Sequence, residues 1–458
     1  MRSIIIIIVA TLISFSSWSQ EVITYQEFLA IILQEHPLAQ QADLQFELAE
    51  IETLKARGVL DPKFATEFNQ KQFDDKNYFD LIKSEIKIPT ILGLSVKGNF
   101  ETNDGEFLNP QNFTTNQGLW SAGVEMDVLR NWVYNDRRAA FDSAEIYQNQ
   151  TTNKRLLLLN KLVKDATTAY INWFIADRNV EIIQNNIELA QAYVDNTTIS
   201  VEFGDKPAID TIEAQTILFD QLIAYQELEI ERVKAKFSVN SFLWDDQQIL
   251  FLGRDTEPAR PNFMIAQELL NFDFFETHPE VIEQLLQANQ FNIQGKLAKQ
   301  NLLPELSLGY FPLISTNENS FLPADTQVSN YKIGARFSMP LFRRKERANL
   351  QVNRVYEQTE ILEAKNITGA LQIKWNQQFQ QLQTLNEQIS LLEKAERNYQ
   401  QLVDAELIRY DYGESSVFLV NKRLEKLLET QLKLQTLRKK RFQTQVEQLY
   451  LLNDLLPN

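Results

Sequence analysis

The sequence contains no cysteine, only two histidines, and 13 glycines and 13 prolines among 458 residues. Without cysteine there is no disulfide framework and no N-terminal cysteine for lipid attachment. A Cys-His pair or a multi-histidine metal site is also excluded within one chain. No P-loop or G-x-S-x-G pattern is present. We therefore expect no enzyme activity, no catalytic residue, no cofactor and no metal.

Positive charge is also scarce. The chain has 45 Lys and Arg against 61 Asp and Glu, a formal net charge of −16. An acidic surface repels phosphate backbones, and no basic cluster overrides that repulsion. We expect no nucleic-acid partner.

Long hydrophobic runs are absent beyond the N-terminus, which reads MRSIIIIIVATLISFSSWSQ. Arg2 precedes an apolar run from Ile4 to Phe15, and the small residues Ser17 and Ser19 follow it. This pattern predicts a secretory signal peptide over residues 1–19, whereas a membrane anchor would need a longer run. We expect an exported chain without a transmembrane helix.

The rest of the chain consists of two copies of one unit. The two His-Pro pairs, at His36 and His278, have an offset of 242 (278 − 36), and Gly204 and Gly413 have an offset of 209 (413 − 204). Further pairs keep these offsets: Pro62 with Pro304, Arg138 with Arg347, and Ser241–Asp246 with Tyr450–Leu455. We therefore divide the chain into a first repeat at 20–247, an equatorial linker at 248–265 and a second repeat at 266–458.

Each repeat contains a helix, extended segments, a helix of about 66 residues, a glycine break and a return helix of about 35 residues. The first helices are predicted at Tyr25 to Arg57 and at Ala266 to Gln300. Apolar residues spaced three and four apart form a narrow seam, which is typical of antiparallel coiled coils, whereas a globular bundle would show a wider apolar face. The seam residues are Leu159, Val163, Ala166, Tyr170, Val180, Ile183, Ile187, Ala190 and Val194, then Trp375, Leu382, Leu385, Ile389, Leu392 and Tyr399.

The extended segments show a different period. Apolar and polar residues alternate from Tyr331 to Leu341 and from Trp120 to Val128. Such alternation suits a transmembrane barrel strand or a half-buried strand of a soluble sheet equally. Export of the chain favours the barrel strand. Because two or three hairpins per chain cannot close a barrel, several chains must contribute strands to it.

The first repeat also carries 33 additional residues (242 − 209) between Pro62 and Arg138. They include Leu81–Glu101, where alternation predicts one more hairpin of membrane type. This hairpin could join the barrel, extend it outward or pack over its outside.

The order and duplication of these elements resemble the TolC family of outer-membrane efflux proteins. The specific marks are LPELSLGY at Leu303–Tyr310, SMPLFRRKERANL at Ser338–Leu350, and the F-G and Y-G breaks. The resemblance implies an α+β, mostly α fold, in which a homotrimer builds a β-barrel in the outer membrane of a Gram-negative cell, in contact with its lipid. A long helical barrel would extend into the periplasm, where a periplasmic adaptor would connect it to an inner-membrane pump.

The resemblance also assigns roles to residues at the glycine breaks, which become tight turns at the periplasmic tip. Gly204 and Gly413 are expected to adopt positive φ, and Pro207 to pre-set the return helix. The adaptor is expected to dock on Phe203, Gly204, Tyr412, Gly413, Glu414 and Ser415, although the glycines could equally serve the turns alone.

For the periplasmic gate, the resemblance implies a link between Asp210 and Tyr410 that holds the tip closed. The family's second-copy ring of acids falls here on Leu419 and Lys422, so an apolar narrowing near Leu419 is expected in its place, and cation selectivity is in doubt. His36 and His278 are expected to be structural.

Two functions remain open at this point. The first is a passive exit duct of a tripartite efflux or type I secretion system. The alternative is a periplasmic or membrane-associated coiled-coil protein that binds partners without transport.

Overall fold

The computed structural model describes residues 22–115, 117–263, 272–315 and 329–456. The predicted signal peptide and residues 266–271 of the predicted second-repeat helix lie outside the described residues. In chain order the elements are β1 Val22–Ile23, α1 Tyr25–Glu35, α2 Pro37–Arg57, β2 Lys63–Phe73, β3 Lys76–Pro89, β4 Leu94–Asp104, β5 Leu119–Asp127, α3 Asp136–Glu202, α4 Ile209–Asn240, β6 Trp244–Asp245, β7 Gln248–Ile249, β8 Glu257–Pro258, α5 Pro279–Gln300, β9 Glu305–Ser315, β10 Tyr331–Ser338, α6 Arg344–Asp411 and α7 Val417–Leu452.

These elements form two compact units. The helical unit comprises residues 1–41, 158–269 and 373–458, and the sheet unit comprises residues 42–157 and 270–372. The long helices α3 and α6 contribute residues to both units. None of the described helices is long and apolar enough to cross a membrane.

The helical unit buries the predicted coiled-coil seams. Val163, Ile183 and Ala190 of α3 are fully buried, and Trp375, Leu385 and Ile389 of α6 are nearly so. Polar residues between the α6 positions, such as Gln377, Gln383 and Glu387, are exposed to solvent. The three-and-four spacing therefore predicted the packed positions correctly.

The predicted helix from Tyr25 to Arg57 is wrong as a single element, because it breaks at His36 into α1 and α2. The residue before a proline avoids the helical conformation, and His36 accordingly has an extended backbone before Pro37. In the second repeat, His278 takes the same extended conformation before Pro279, which begins α5. Nδ1 of each histidine accepts a hydrogen bond from the backbone N–H two residues later, at 3.1 Å from Leu38 and 3.2 Å from Glu280.

The sheet unit contains one antiparallel sheet of six strands in the order β10-β9-β5-β4-β3-β2. The two predicted strands are β5 and β10, and β10 ends at Ser338 instead of reaching Leu341. Pro340 explains the early end, since proline has no N–H for a further ladder bond. Met339 therefore lies beyond the strand.

The register places one apolar face across all six strands. From β2 to β10 it carries Phe64, Phe68, Ile82, Ile86, Ile88, Val96, Phe100, Trp120, Val124, Met126, Leu308, Tyr310, Ile314, Tyr331, Ile333, Ala335 and Phe337. The opposite face carries most of the charged residues, including Lys83, Glu85, Lys97, Glu125 and Arg336, whereas Asp80 and Asp104 lie at the end of the apolar face. The two faces of this sheet therefore suit two different environments.

The predicted additional hairpin exists and is longer than expected. Its strands β3 and β4 cover Lys76–Asp104 and lie inside the sheet, between β2 and β5. Leu92, which alternation placed in a strand, lies in the turn between them. Gly93 in this turn has a φ of +70° and approaches the Asn131 carbonyl so closely that a Cβ would lie 2.7 Å from it.

Candidate functional site

The two glycine breaks form equivalent turns at one end of the helical unit. Gly204 follows α3 with a φ of +79°, and Gly413 follows α6 with a φ of +75°. Each glycine donates its N–H to the carbonyl three residues back, and the next residue donates to the carbonyl five residues back. These paired bonds define a Schellman motif, for which glycine is the preferred residue. The predicted positive φ values are confirmed.

The helices that follow the turns begin differently. Pro207 precedes α4 and accepts a hydrogen bond from the Asp210 N–H through its carbonyl, at 3.1 Å. Ser416 caps α7 instead, through a bond to its side chain from the Leu419 N–H. Both turns therefore place the return helix directly after the reversal.

Aromatic residues stand uncovered at both turns. Phe203 and Tyr412, each immediately before its glycine, are both 80% exposed. Nothing lies within 4 Å of a Cβ built on either glycine. The turns thus present two exposed aromatic side chains beside bare backbone.

Behind the turns the four helices α3, α4, α6 and α7 pack together. Tyr410 is only 2% exposed, and its ring meets that of Tyr193 edge-on at 5.1 Å. The Tyr410 hydroxyl shares a hydrogen bond of 3.1 Å with Thr197 Oγ1, and Thr197 also donates to the Tyr193 carbonyl. Burial raises the pKa of Tyr193 well above its usual value. Tyr410 is therefore a core residue that joins the two repeats.

The expected link between Asp210 and Tyr410 is not formed within the described chain. The Tyr410 hydroxyl pairs with Thr197, while Asp210 is partly exposed at the start of α4. Leu419 is exposed at the start of α7, and Lys422 pairs with Glu425 at 2.8 Å on the same helix. The structure thus places Asp210 and Leu419 at the two return-helix starts without joining either to Tyr410.

Three other residues fix the tip, and the sequence reading missed them. Lys206 donates to the Tyr410 carbonyl at 3.1 Å and lies 2.9 Å from the centre of its ring. A cation at the end of α6 opposes the partial negative charge of that helix terminus. Thr197 provides the hydroxyl contact described above.

Glu406 is the third of these residues, and it stabilises the turn at Gly413. Its carboxylate accepts from Ser415 Oγ at 2.6 Å and lies 3.6 Å from Arg423 Nε. The hydrogen bond from Ser415 is the main reason that the pKa of Glu406 is lowered, and Arg409 and Arg423 lower it further. Ser415, predicted to dock the adaptor, is thus engaged inside its own turn. The signal that could have revealed Thr197 and Glu406 is their position, since each stands seven residues before a repeat glycine (204 − 197 and 413 − 406).

A groove of about 490 Å³ runs beside the tip between α4 and α7. Phe418 and Lys422 of α7 face Asp220 and Gln221 of α4 across it. Asn421 joins the same two helices by donating to the Glu213 carbonyl at 3.2 Å. Among the described residues, no cluster of three acidic or histidine side chains could hold a metal ion.

Two repeats of long paired helices, tight glycine turns and a two-faced sheet are the features expected from the resemblance. Residues 275–453 match the family model described as outer membrane efflux protein, which spans most of the second repeat. The resemblance to the TolC family of outer-membrane efflux proteins is thereby confirmed. A comparison with curated proteins finds no match.

Solved structures with the same fold include three outer-membrane channels. The Campylobacter jejuni CmeC channel has 12% sequence identity and a TM-score of 0.66, with 94% of this chain and 85% of that chain covered. VceC from Vibrio cholerae has 13% identity and a TM-score of 0.66, covering 93% and 95%. The Neisseria gonorrhoeae MtrE channel has 13% identity and a TM-score of 0.65, covering 94% and 89%. At these identities the likeness establishes the fold.

Proposed function

We propose that this protein is the outer-membrane exit duct of a tripartite efflux or type I secretion system. The observation that carries the proposal is the six-stranded sheet, whose apolar face suits lipid while its charged face suits a water-filled lumen. The family match of residues 275–453 supports efflux as the activity. The duct itself is a passive conduit without a catalytic site, and an inner-membrane pump supplies the energy.

Three copies form the tube. The return helix α4 supports this assembly, because exposed apolar residues follow it at steps of three, four and seven. This stripe consists of Ile209, Ile212, Phe219, Ile223, Ile230, Val233 and Phe237. An apolar stripe is unfavourable on a helix face that is exposed to water. A helix of a neighbouring copy therefore covers this stripe in the assembled tube.

A periplasmic adaptor docks at the tip. Phe203 and Tyr412 provide equally exposed aromatic contacts at equivalent positions of the two repeats. Bare backbone at Gly204 and Gly413 leaves room for another helical hairpin to approach. Glu414 is exposed beside them, whereas Ser415 contributes by holding the second turn in shape.

The gate lies just behind these turns. Asp210 at the start of α4 closes the tip with Tyr410 once the copies are assembled, and Leu419 narrows the opening with an apolar side chain. The 40% exposure of Leu419 at the start of α7 supports this role.

Membrane fractionation combined with an export assay tests the proposal. An exit duct fractionates with the outer membrane, needs detergent for extraction and restores efflux when its gene is returned to a deletion strain. Release by osmotic shock without detergent, with no change in efflux, would instead support the coiled-coil binding protein.

A further inference from the structure

The insertion in the first repeat changes the barrel wall. In the second repeat, β9 pairs directly with β10, whereas in the first repeat β3 and β4 stand between β2 and β5. Two paired strands per repeat would give four strands per chain and twelve in a trimer. We infer that the inserted hairpin forms part of the barrel wall, so that three copies close an eighteen-stranded barrel. This inference rests on the proposed function for the trimer and the membrane.

The inserted strands share the two faces of their neighbours. Val96 of β4 stands beside Val124 of β5, and Ile86 of β3 stands beside Phe64 of β2, all on the apolar face. A hairpin folded over the outside of the barrel would turn its charged face toward lipid or toward the apolar wall. Either position would strand charges in an apolar medium.

Charges on the opposite face join the inserted strands to β5. Lys97 of β4 lies 2.6 Å from Glu125 of β5 and 3.8 Å from Glu85 of β3. Lys87 of β3 also reaches Glu125, at 3.5 Å. Beside this network, Asn99 of β4 donates to Ser121 of β5 at 3.2 Å. These contacts need β3, β4 and β5 side by side in one wall.

The turn of the inserted hairpin is fixed to the start of α3. Arg137 donates to the Leu94 carbonyl and to Ser95 Oγ, both at 3.2 Å. Asn135 donates to the Ile91 carbonyl at 3.0 Å. Gly93 in the turn also lies close to the Asn131 carbonyl. These contacts hold the turn of the inserted hairpin against the segment that leads into α3.

The two outer strands, β2 and β10, are the edges that a second copy must cover. Within the part of the chain that the structure describes, no strand pairs with either outer edge. Phe64 and Phe337 on these edges are 73% and 63% exposed, whereas Val96 and Val124 inside the sheet are 41% and 42% exposed. Long bare edges of this kind are sites of strand pairing.

The edges also match one another. The six strands alternate in direction, so β2 of one copy runs antiparallel to β10 of the next. Lys63, Glu67 and Lys71 of β2 and both Lys332 and Arg336 of β10 lie on the charged face. Charged residues therefore meet on one face where two copies join, and apolar residues meet on the other face.

An eighteen-stranded barrel is about one and a half times as wide as a twelve-stranded one, because barrel diameter grows roughly linearly with strand number. At this size a barrel leaves an aqueous channel. The membrane section of this duct would therefore admit cargo wider than a twelve-stranded barrel admits.

Disulfide cross-linking in isolated outer membranes tests the strand order, since the chain has no cysteine of its own. The pair Val96→Cys with Val124→Cys joins Cα partners of β4 and β5. The pair Thr66→Cys with Met126→Cys occupies the repeat-equivalent positions of Leu308 and Ala335, which pair in β9 and β10. We expect efficient oxidation of the first pair and none of the second. Cross-linking of the second pair would overturn the inference, because it requires β2 to pair directly with β5.

Electron cryo-microscopy of the unmodified trimer in detergent provides an independent count that needs no variant. Eighteen strands support the inference, and twelve strands with the hairpin outside the wall overturn it. If twelve strands are found in a trimer that fractionates with the outer membrane and restores efflux, only this inference fails. Failure to fractionate there would instead reject the proposed function.

Discussion

The hydroxyl of Tyr410 lies 3.1 Å from Thr197 Oγ1, across the boundary between the two repeats. Tyr410 belongs to α6 and Thr197 to α3, so the bond ties the two long helices just before their turns. Because this bond lies within one chain, it holds the tip of a single subunit together. Closure between subunits requires a different contact.

We expect the double variant Asp210→Ala with Tyr410→Phe to raise single-channel conductance in planar bilayers and to sensitise cells to large antibiotics. The physical reason is the loss of the closing link in the assembled trimer. Thr197→Val serves as the matched control, because it removes only bonds within the chain, those to the Tyr410 hydroxyl and to the Tyr193 carbonyl, at a cost of roughly 0.5–1.5 kcal/mol each. Conductance unchanged in the double variant, with the trimer intact, would mean that other contacts hold the tip shut.

Alanine at Gly204 or Gly413 should destabilise the tip by about 1–2 kcal/mol through backbone strain, since both positions have positive φ. Steric clash makes no contribution, because the space around both positions is open. Gly369 is a matched control inside α6, where φ is not positive, and alanine there should stabilise by about 0.5–1 kcal/mol. Thermal unfolding of the purified protein measures all three.

Bulkier residues at both tip glycines should abolish export and leave the trimer in the membrane, because they fill the space that the adaptor needs. Export is measured by drug accumulation, and the trimer by gel electrophoresis without heating. Normal export by such a variant would contradict docking at the turns.

Arginine at Phe337 should cost ~2–4 kcal/mol if this position lies near the bilayer midplane, because it places a charge in lipid. Arginine at Ser338, on the charged face of the same strand, is the control and should cost far less. Folding into lipid vesicles under urea titration measures both.

Single cysteines at Lys332 and Arg336 should react with a water-soluble thiol reagent, while cysteines at Tyr331 and Phe337 should not. Equal labelling of both faces would argue against the barrel.

Low pH should reduce the stability of the protein at the two helix breaks before Pro37 and Pro279. Burial lowers the pKa of His36 and of His278, although Glu280 partly opposes the shift at His278. A histidine with a lowered pKa in the folded state contributes full stability above its unfolded pKa of about 6.5, and this contribution is lost as the pH falls through the folded pKa. Replacing both with asparagine keeps a side chain that can cap the helix but removes the titration. The fall in melting temperature between pH 8 and pH 5.5 should therefore be smaller in the double variant, and an equal fall would exclude these histidines as its cause.

The sequence alone determined the repeats, the long helices and the sites of reversal, because these depend on local rules. Heptad spacing decides which face of a helix is buried, and an isolated glycine after a long helix marks its left-handed end. For the same reason, the alternation of apolar and polar residues predicted the strands and the residues on each of their two faces. The proline after each histidine equally predicts a break, yet the apolar pattern that continues through His36 concealed it.

Tertiary structure decided which strands pair and which side chains meet at the tip. In Leu81–Glu101, apolar and polar residues would alternate in the same way whether the hairpin formed part of the barrel wall or packed over its outside. Alternation shows which residues share a face of a strand, but it does not show which strands pair. Only the register that brings Lys97 beside Glu125 places the hairpin inside the sheet. Likewise, the partner of the Tyr410 hydroxyl depends on the relative rotation of α3 and α6, which set Thr197 rather than Asp210 within its reach. Contacts between distant segments are fixed by packing, and packing is a property of the whole fold.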